Sequence, residues 1–426
     1  MKFLKQLSLY TLVGVLAAGI NFFVMPVLSH YLSPSDYGTL SLFNSYITIL
    51  IPLISLSANS LLNVEYFKGK SKDEFSRLFS SIQVIPFFTS AILAILSWQF
   101  FTQVNNEMEL QNVGKNWGYI MIAIAFFTIY CDQFSVFLIL GKKAGQFTLY
   151  SLFKLCIEIS LTLYFVIVKG WEWEGRIYSS LITTGIFFCV SLVYFHKQGF
   201  INGVIRIQLL KEGLFFGAPL ILHELGKFVV NQSDRLFIAK MVSLSEAGIY
   251  NIGYTIGSMV MIIINAFFNY YSPFLMERLS NLTDDNKLQI VKMSYLYALG
   301  CIVILVGIQL FSSLFFRWFI DGRYVTGNRY VFWVALGYCF WGTYMLFTGF
   351  VTFYKRTKVL GWLALFNIFT NLGFNYWFIG LFGAIGAAYA TALSFLLLCL
   401  IVGYKANQLV ALPWFSFQKI KITRLV

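Results

Sequence analysis

One apolar segment, residues 213–233, carries ionisable and polar side chains that could bind an anion or carry a proton. Four of them recur in and just after it at spacings of four, four and three residues: His223, Lys227, Asn231 and Asp234. A helix would place these four on one face, with Arg235 beside the last. Within a membrane an ionised side chain costs about 2.5 to 3.5 kcal/mol, so it is retained mainly where it faces a cavity or a partner. The pattern therefore predicts a face that lines a cavity.

A structural explanation of the same charges stays open. Glu224 could neutralise Lys227, which follows it by three residues on the helix. Asp234 and Arg235 could lie in water at the end of the segment. If the face does line a cavity, Lys227 and Arg235 are candidate ligands of an anion, and the carboxylates of Glu224 and Asp234 are candidates for coupling to an ion.

A second group of charges lies in the first half of the chain. Asp132 and Lys154 fall at similar depths of two consecutive apolar segments, and Glu158 follows Lys154 by one helical turn. These side chains could form a structural cluster of ion pairs that holds two helices together. They could also form a site in which Lys154 binds an anion while Asp132 and Glu158 titrate during transport. Both interpretations stay open.

The composition of the chain indicates the environment of these charges. Of the 426 residues 58% are hydrophobic and 12% are charged, and the mean hydropathy is +0.74, which a water-soluble core of this length could not bury. Apolar stretches of about 20 residues favour membrane-spanning helices over a barrel. Charge clusters divide the chain into twelve candidate spans: 7–28, 37–62, 78–102, 117–141, 147–168, 177–195, 213–233, 247–271, 294–316, 330–354, 359–381 and 385–404. The predicted fold class is an all-α integral membrane protein.

The distribution of positive charge predicts how these helices are oriented. With a cytoplasmic N-terminus, Lys and Arg number 21 in the cytoplasmic segments and 8 on the far side, in line with the positive-inside rule. Both termini are then cytoplasmic, and the net charge of +13 needs no nucleic acid to explain it. The first apolar stretch has no small-residue cleavage site, so we expect it to be retained as a helix.

A short motif occurs twice in the chain. LSPSDYG at residues 32–38 returns 210 positions later as VSLSEAG at residues 242–248, each time between two long apolar runs. In the first copy, Ser33 or Ser35 could cap the following helix. Asp36 would then face the positive N-terminus of that helix, and Gly38 would allow close packing. The motif is therefore interpreted as a tight turn on the outer side of the membrane.

The repeat predicts a duplicated architecture. Each half contains six spans, an even number, so both halves start on the same side of the membrane. We expect two six-helix bundles, residues 1–205 and residues 206–426 with a cytoplasmic tail, related by an axis along the membrane normal. Such bundles generally place a substrate cavity between them and work by alternating access.

The sequence lacks the motifs of common enzymes. It has no Walker loop, no HExxH motif and no CxxC pair, and no loop much exceeds about 20 residues, which leaves no soluble domain. All six cysteines fall inside apolar runs and are interpreted as small hydrophobic residues. We therefore expect no enzyme activity, metal or cofactor. Any work would come from an ion gradient or from the gradient of the substrate.

The first-helix region and its motif resemble one family of transporters. The segment LYTLVGVLAAGINFFVMPVLSHYLSPSDYGTLSL resembles the Wzx-type polysaccharide flippases. Their superfamily also contains multidrug and toxin extrusion transporters and the flippase of the lipid-linked peptidoglycan precursor. Family members typically show L-s-x-x-[DE]-[YF]-G between their first two helices, and five residues match: Leu32, Ser33, Asp36, Tyr37 and Gly38. The likeness covers the whole chain in architecture, but in motif only helices 1 and 2 and the start of the second half.

The resemblance implies a substrate and a location. The implied function is translocation of an undecaprenyl-diphosphate-linked oligosaccharide, a repeat unit of O-antigen, capsule or exopolysaccharide, across the bacterial cytoplasmic (inner) membrane. The diphosphate or an acidic sugar would then bind Lys227, Arg235 and Lys154. The implied partners are the lipid bilayer, H+ or Na+ as coupling ion, and other membrane proteins of polysaccharide assembly.

Two other functions stay open. A multidrug or cation antiporter of the same superfamily would need carboxylates exposed to an outward cavity, and Asp132 is the best candidate within a span of the first half, although Lys154 nearby argues for a neutralised or anion-binding site. A membrane polymerase or glycosyltransferase of the same pathway would need an acid in an outer loop, where Asp36 lies. That acid repeats as Glu246 in the second half, which a single catalytic centre does not require.

Overall fold

The regular elements of the described part of the chain are helices. The structure, a computed structural model, describes residues 19, 22–66, 68, 71–107, 116–201 and 204–414. The α-helices of this part are α1 (Phe22–Tyr31), α2 (Pro34–Ser55), α3 (Asn59–Glu65), α4 (Lys72–Gln83), α5 (Ile85–Glu107), α6 (Asn116–Leu140), α7 (Ala144–Leu163), α8 (Glu172–Lys197), α9 (Ile207–Met241), α10 (Leu244–Ser258), α11 (Val260–Ser280), α12 (Asp284–Trp318), α13 (Asn328–Phe353), α14 (Thr357–Phe382) and α15 (Ile385–Leu409). A π-helical turn, Tyr164–Val168, extends α7, and a 3-10 turn, Gly322–Gly327, precedes α13. The predicted all-α fold class is confirmed.

Ten helical stretches of the described residues are long and apolar enough to cross a membrane. They coincide with ten of the twelve spans predicted from hydropathy, and the chain is a multi-pass integral membrane protein. The predicted span 359–381 falls within α14, and the predicted span 7–28 lies largely outside the described residues. The twelve-helix arrangement and its orientation stay predictions.

The first copy of the repeated motif caps a helix. The Ser33 backbone N–H and hydroxyl both donate to Asp36 Oδ2, at 2.8 and 2.6 Å, and the Asp36 N–H donates to the Ser33 hydroxyl oxygen at 3.2 Å. This is a capping box, and Pro34 follows it at the first position of α2. In the second copy, the Glu246 N–H donates to the Ser243 hydroxyl oxygen at 3.1 Å. The helix start predicted from the motif is therefore found in both copies.

The two copies of the motif also contact each other, backbone against backbone. A methyl group at Gly38 would overlap the carbonyl oxygen of Leu244, and one at Gly248 would overlap the carbonyl oxygen of Pro34. Leu244 and Gly248 are the positions 210 residues after Pro34 and Gly38, so the contact is reciprocal. The close packing expected at Gly38 is confirmed. Neither Gly38 nor Gly248 has room for a larger residue.

The helices form two compact units, Met1–Gly248 and Ile249–Val426. In the first unit α6 packs against α2, α5 and α8, while α9 packs against α2, α3 and α4. The core of this unit is rich in buried aromatic side chains, among them Phe79, Tyr130, Phe137 and Phe195. The predicted halves, 1–205 and 206–426, are defined by the repeat rather than by packing, and they stay a prediction.

In the second unit, α13 and α14 both pack against α15. The buried face of α15 consists mainly of small side chains, among them Gly386, Ala387, Ala388, Ala390, Thr391 and Ser394. Small residues let helix backbones approach closely, and van der Waals contact of this kind drives helix association where lipid removes the hydrophobic driving force.

A break separates α2 from α3. Leu56 and Ser57 adopt φ values of 46° and 52°, which strain the backbone of residues that carry a side chain. Gly217 of α9 lies on this break, where a methyl group would overlap the Leu56 carbonyl oxygen. The Thr89 hydroxyl donates to the Ile54 carbonyl oxygen at 2.5 Å. Contacts from α5 and α9 thus stabilise irregular backbone that lipid alone could not satisfy.

Replacing Gly38 with leucine should destabilise the protein, because the new side chain would displace the backbone at Leu244. We expect a loss of at least about 1 to 3 kcal/mol, seen as a lower thermal midpoint in detergent. Gly300→Leu is the matched control, since no atom lies within 4 Å of the position that its Cβ would take. Equal midpoints for the two variants would contradict the reciprocal contact.

Candidate functional site

Three of the four residues on the predicted polar face of α9 are exposed: His223, Lys227 and Asn231. The Lys227 ammonium donates to Glu224 Oε1 at 2.9 Å, in a pair whose side chains are 55% and 43% exposed. The Asn231 side-chain amide donates to the Lys227 carbonyl oxygen at 2.8 Å. Exposed pairs stabilise a protein by about 0 to 1 kcal/mol, so a more highly charged anion could displace Glu224 from Lys227.

The fourth residue of that face and its neighbour are buried. Asp234 and Arg235 are 2% and 4% exposed, and Arg235 Nη1 donates to Asp234 Oδ1 at 2.6 Å. The same nitrogen donates to the Asn231 carbonyl oxygen at 2.6 Å. The alternative in which Asp234 and Arg235 lie in water is therefore wrong. The physical reason is that α9 packs against α2 near this point, where the Ser45 hydroxyl lies 3.4 Å from Gln232 Oε1.

The predicted group in the first half of the chain is only partly brought together. Lys154 interacts electrostatically with Asp132, but no ion pair within 4.0 Å joins these two described residues. Glu158 has a different partner from the one expected, since Arg176 of α8 lies 3.3 Å from its carboxylate. Arg176 also donates to the Thr162 hydroxyl oxygen at 2.7 Å. A side chain from a neighbouring helix thus competes successfully with Lys154, one turn away on the same helix.

The charged side chains of the first unit therefore fall into two groups. Committed charges are held in a buried or partly buried ion pair, and accessible charges can be reached by a ligand. Asp234, Arg235 and Glu158 each have a charged partner that is at least partly buried with them. Lys227 is exposed, and its pair with Glu224 is exposed too. Lys154 is half-buried on α7. Lys227 and Lys154 are the two predicted anion ligands whose ammonium groups can accept a new partner without leaving a buried charge unpaired.

A ladder of three buried asparagines on α14 is a polar site that sequence reasoning missed. Asn367, Asn371 and Asn375 follow one another at single-turn spacing and are 6%, 1% and 0% exposed. Asn375 Nδ2 donates to Asn371 Oδ1 at 3.0 Å. Three amide atoms of the ladder are buried without a hydrogen-bond partner: Asn367 Oδ1, Asn371 Nδ2 and Asn375 Oδ1. The pattern of asparagines at every fourth position was visible in the sequence, but a search for charged residues passes over it.

Leaving these amide atoms unpaired is costly, and the ladder therefore needs an explanation. An unsatisfied buried polar group costs about 1 to 3 kcal/mol, whereas the apolar side chains that dominate this span would cost nothing of the kind. Amide oxygens can coordinate a monovalent cation, as irregular carbonyls do in other transporters. Among the described residues, no group of three or more His, Cys, Asp or Glu side chains could hold a metal ion.

Comparison with protein families gives one match over most of the chain. Residues 3–277 match the family described as "Polysaccharide biosynthesis protein". Two similar proteins come from Haemophilus influenzae. "Lsg locus putative protein 1" is 22% identical over 288 residues, which cover 66% of this chain and 67% of the relative. An "Uncharacterized membrane protein" is 18% identical over 381 residues, which cover 88% of this chain and 89% of the relative.

Comparison with solved structures identifies the fold. The lipid II flippase MurJ in an inward closed conformation aligns with a TM-score of 0.73 at 17% identity, covering 94% of this chain and 87% of MurJ. An inward-facing multidrug resistance MATE family transporter of the MOP superfamily aligns with a TM-score of 0.70 at 12% identity, covering 95% of this chain and 96% of that transporter. The chain has the all-helical fold of these transporters.

Removing only one partner of the buried pair in α9 should be severely destabilising. Arg235→Met removes the positive charge that lies 2.6 Å from buried Asp234, at a cost of about 3 to 5 kcal/mol. Adding Asp234→Leu should recover most of that loss, as measured by unfolding midpoints in a double-mutant cycle. The exposed pair is the control, because Glu224→Gln and Lys227→Met should each change stability by less than about 1 kcal/mol. Comparable losses in the two cycles would contradict the division into committed and accessible charges.

Proposed function

The chain belongs to the polysaccharide biosynthesis protein family, and from this premise we propose that it transfers an undecaprenyl-diphosphate-linked oligosaccharide across the bacterial inner membrane. The transfer runs from the cytoplasmic to the periplasmic leaflet by alternating access. The protein is an integral membrane protein with the fold of a flippase and of multidrug transporters, which are transporters rather than enzymes. The family supports polysaccharide cargo, and the side chains of the first unit support an anionic ligand.

The single observation that carries the proposal is the exposed row on α9, centred on Lys227. A diphosphate brings two or more negative charges, whereas Glu224 brings one, so the diphosphate would displace Glu224 from Lys227. His223 and Asn231 lie one turn to either side and offer further hydrogen-bond donors to phosphate oxygens or sugar hydroxyls. Because Glu224 can take Lys227 back, the cargo is held firmly enough to be recognised and weakly enough to be released.

The three cations predicted as ligands have different roles in this proposal. Lys227 is the first contact for the diphosphate, and Lys154 is a second contact that has no carboxylate within 4.0 Å in the described structure. Arg235 is committed to Asp234 and stabilises the end of α9 instead of binding cargo. A ligand that recruited Arg235 would have to separate it from the buried Asp234 carboxylate, 2.6 Å away.

We propose that the coupling ion does not bind to most of the carboxylates predicted from the sequence. Glu224, Asp234 and Glu158 each have a basic partner, which leaves Asp132 and the asparagine ladder of α14. Amides do not titrate in the physiological range, so the ladder fits Na+, whereas Asp132 would fit H+. The unpaired oxygens of Asn367 and Asn375 lie two turns apart, about 12 Å along the helix, so one Na+ would contact only one of them, beside Asn371.

The other two functions have less support. A multidrug or cation antiporter needs an accessible carboxylate, and Asp132 is the one that favours it, since it is exposed and its interaction with Lys154 is not a close ion pair. A polymerase or glycosyltransferase would use the Asp36 carboxylate in catalysis. That carboxylate accepts two hydrogen bonds from Ser33 at the start of α2, so its position is explained by the helix cap.

Replacing Lys227 with alanine should abolish transfer without unfolding the protein, because it removes the first contact for the diphosphate. The assay is transfer of a fluorescent lipid-linked oligosaccharide between leaflets of reconstituted vesicles, and we expect a loss of at least about tenfold, the equivalent of one charge-assisted hydrogen bond. Lys211→Ala, an exposed lysine on the same helix, is the control. Wild-type transfer by Lys227→Ala would remove Lys227 from the site.

Replacing two members of the asparagine ladder should separate stability from coupling. Asn371→Leu combined with Asn375→Leu removes both partners of their hydrogen bond and two unpaired atoms, so the thermal midpoint should rise by the equivalent of about 1 to 3 kcal/mol. Stimulation of transfer by a Na+ gradient should disappear. Asn269→Leu, an exposed amide on α11, is the control. Na+ stimulation that survives the double change, or one that is lost only in Asp132→Asn, would refute the assignment.

A further inference from the structure

An aromatic cup lies where the π-helical turn meets α8, and none of the residues assigned above lines it. Its cavity has a volume of about 420 Å³, which is in the range of small-molecule sites. Five side chains line it: Phe165, Trp171, Glu174, Tyr178 and Ile182. In the predicted orientation this end of α7 and α8 lies on the periplasmic side. The cup combines three rings with one carboxylate in a single depression.

The backbone around Trp171 is irregular, and it fixes the indole ring in an exposed position. The π-helical turn Tyr164–Val168 comes before it, and both neighbours of Trp171 have positive φ values, 67° at Gly170 and 44° at Glu172. For Glu172 this conformation is strained, and π-helical turns are found frequently at functional sites. The backbone N–H of Trp171 donates to the Phe165 carbonyl oxygen at 3.0 Å, so the turn folds back on itself.

The rings of the cup leave one aromatic face open. Phe165 and Trp171 stack nearly parallel, with centroids 4.8 Å apart and planes 3° apart, so Phe165 covers one face of the indole. Tyr178 meets Trp171 edge to face, with centroids 5.7 Å apart. Trp171 nevertheless remains 43% exposed. The arrangement holds a large, rigid apolar surface available to a ligand, at little cost in side-chain entropy when the ligand binds.

We propose that this aromatic cup binds a pyranose ring of the translocated glycan on the periplasmic side, and that it prefers neutral and amino sugars over acidic ones. The inference rests on the proposed function for the source of the sugar. The C–H face of a pyranose is apolar and stacks on an aromatic ring, while its hydroxyls donate to a carboxylate such as Glu174. An ammonium group would also gain from the rings and from Glu174, whereas a sugar carboxylate would be repelled.

The other charges near the cup do not reverse this preference. Lys169 lies over the ring of Tyr164, with its ammonium 5.7 Å from the ring centroid, and neither residue lines the cavity. Arg176, the next basic residue, is paired with Glu158. Glu172 is exposed beside Trp171 and adds a second negative charge. The cup therefore retains a carboxylate without a basic residue among its lining side chains.

The test is direct binding of monosaccharides to the full-length protein in lipid nanodiscs, measured by saturation-transfer NMR. The probes are glucosamine, N-acetylglucosamine and glucuronate, used without any lipid carrier or ion gradient. We expect signals from the first two and the weakest signal from glucuronate. Trp171→Ala should weaken binding of N-acetylglucosamine by about tenfold, the loss of one stacked ring. Trp362→Ala is the control, since Trp362 is 73% exposed and lies on α14.

A second variant tests the role of the Glu174 carboxylate. Glu174→Gln leaves the rings in place, so binding of N-acetylglucosamine should persist while the preference for glucosamine over glucuronate becomes weaker. Equal signals from wild type and Trp171→Ala would overturn the inference, and so would quenching of Trp171 by brominated lipids with no sugar signal, which would make this residue a membrane anchor. Loss of sugar binding with intact transfer in vesicles would refute the cup alone. Sugar binding without transfer would refute the proposed function alone.

Discussion

Lipid offers no hydrogen bonds, and this constraint determines where the charged and polar groups of the chain lie. Backbone groups are satisfied within helices, and the strained break at Leu56 and Ser57 is covered by α5 and α9. Charged side chains follow the same rule, since Asp234 has Arg235 and Glu158 has Arg176. The accessible Lys227 and the asparagine ladder of α14 depart from the rule, and for this reason we propose them as parts of the transport site.

The constraint also explains how much could be predicted from the sequence. Span positions follow from hydropathy alone, because every membrane helix must satisfy its own backbone, and ten of the predicted spans coincide with helices. The capping of α2 was predictable since Ser33 and Asp36 are three residues apart and interact locally. The partner of Glu158 was not, because Arg176 lies on another helix and only tertiary packing brings it near. Burial of the Asp234–Arg235 pair likewise depends on α2, which no spacing within α9 reveals.

Accessibility, rather than the presence of a charge, separates the candidate site residues. Sequence spacing put His223, Lys227, Asn231 and Asp234 on one face, and α9 has that geometry. Packing then divides the face, since its end is buried while Lys227 stays exposed in a weak pair with Glu224. A weak intramolecular partner prevents a lone lysine from binding any passing anion, and it yields to one with higher charge. The same reasoning gives the cup beside Trp171 its selectivity, because Glu174 is the only charged side chain in its lining.

The reciprocal contact of Gly38 and Gly248 bears on the origin of the molecule. Each glycine packs against the carbonyl of the first helical residue of the other copy, Leu244 or Pro34, so the contact is reciprocal, as in the interface of a two-fold homodimer. A half-length ancestor with one copy of the turn could have assembled with itself through this surface before duplication and fusion joined the two genes. At the same 210-residue offset, the charges of Glu224 and Lys227 have no counterpart, since Gly14 and Ala17 occupy the equivalent positions. In this turn the two copies of the motif still make equivalent contacts.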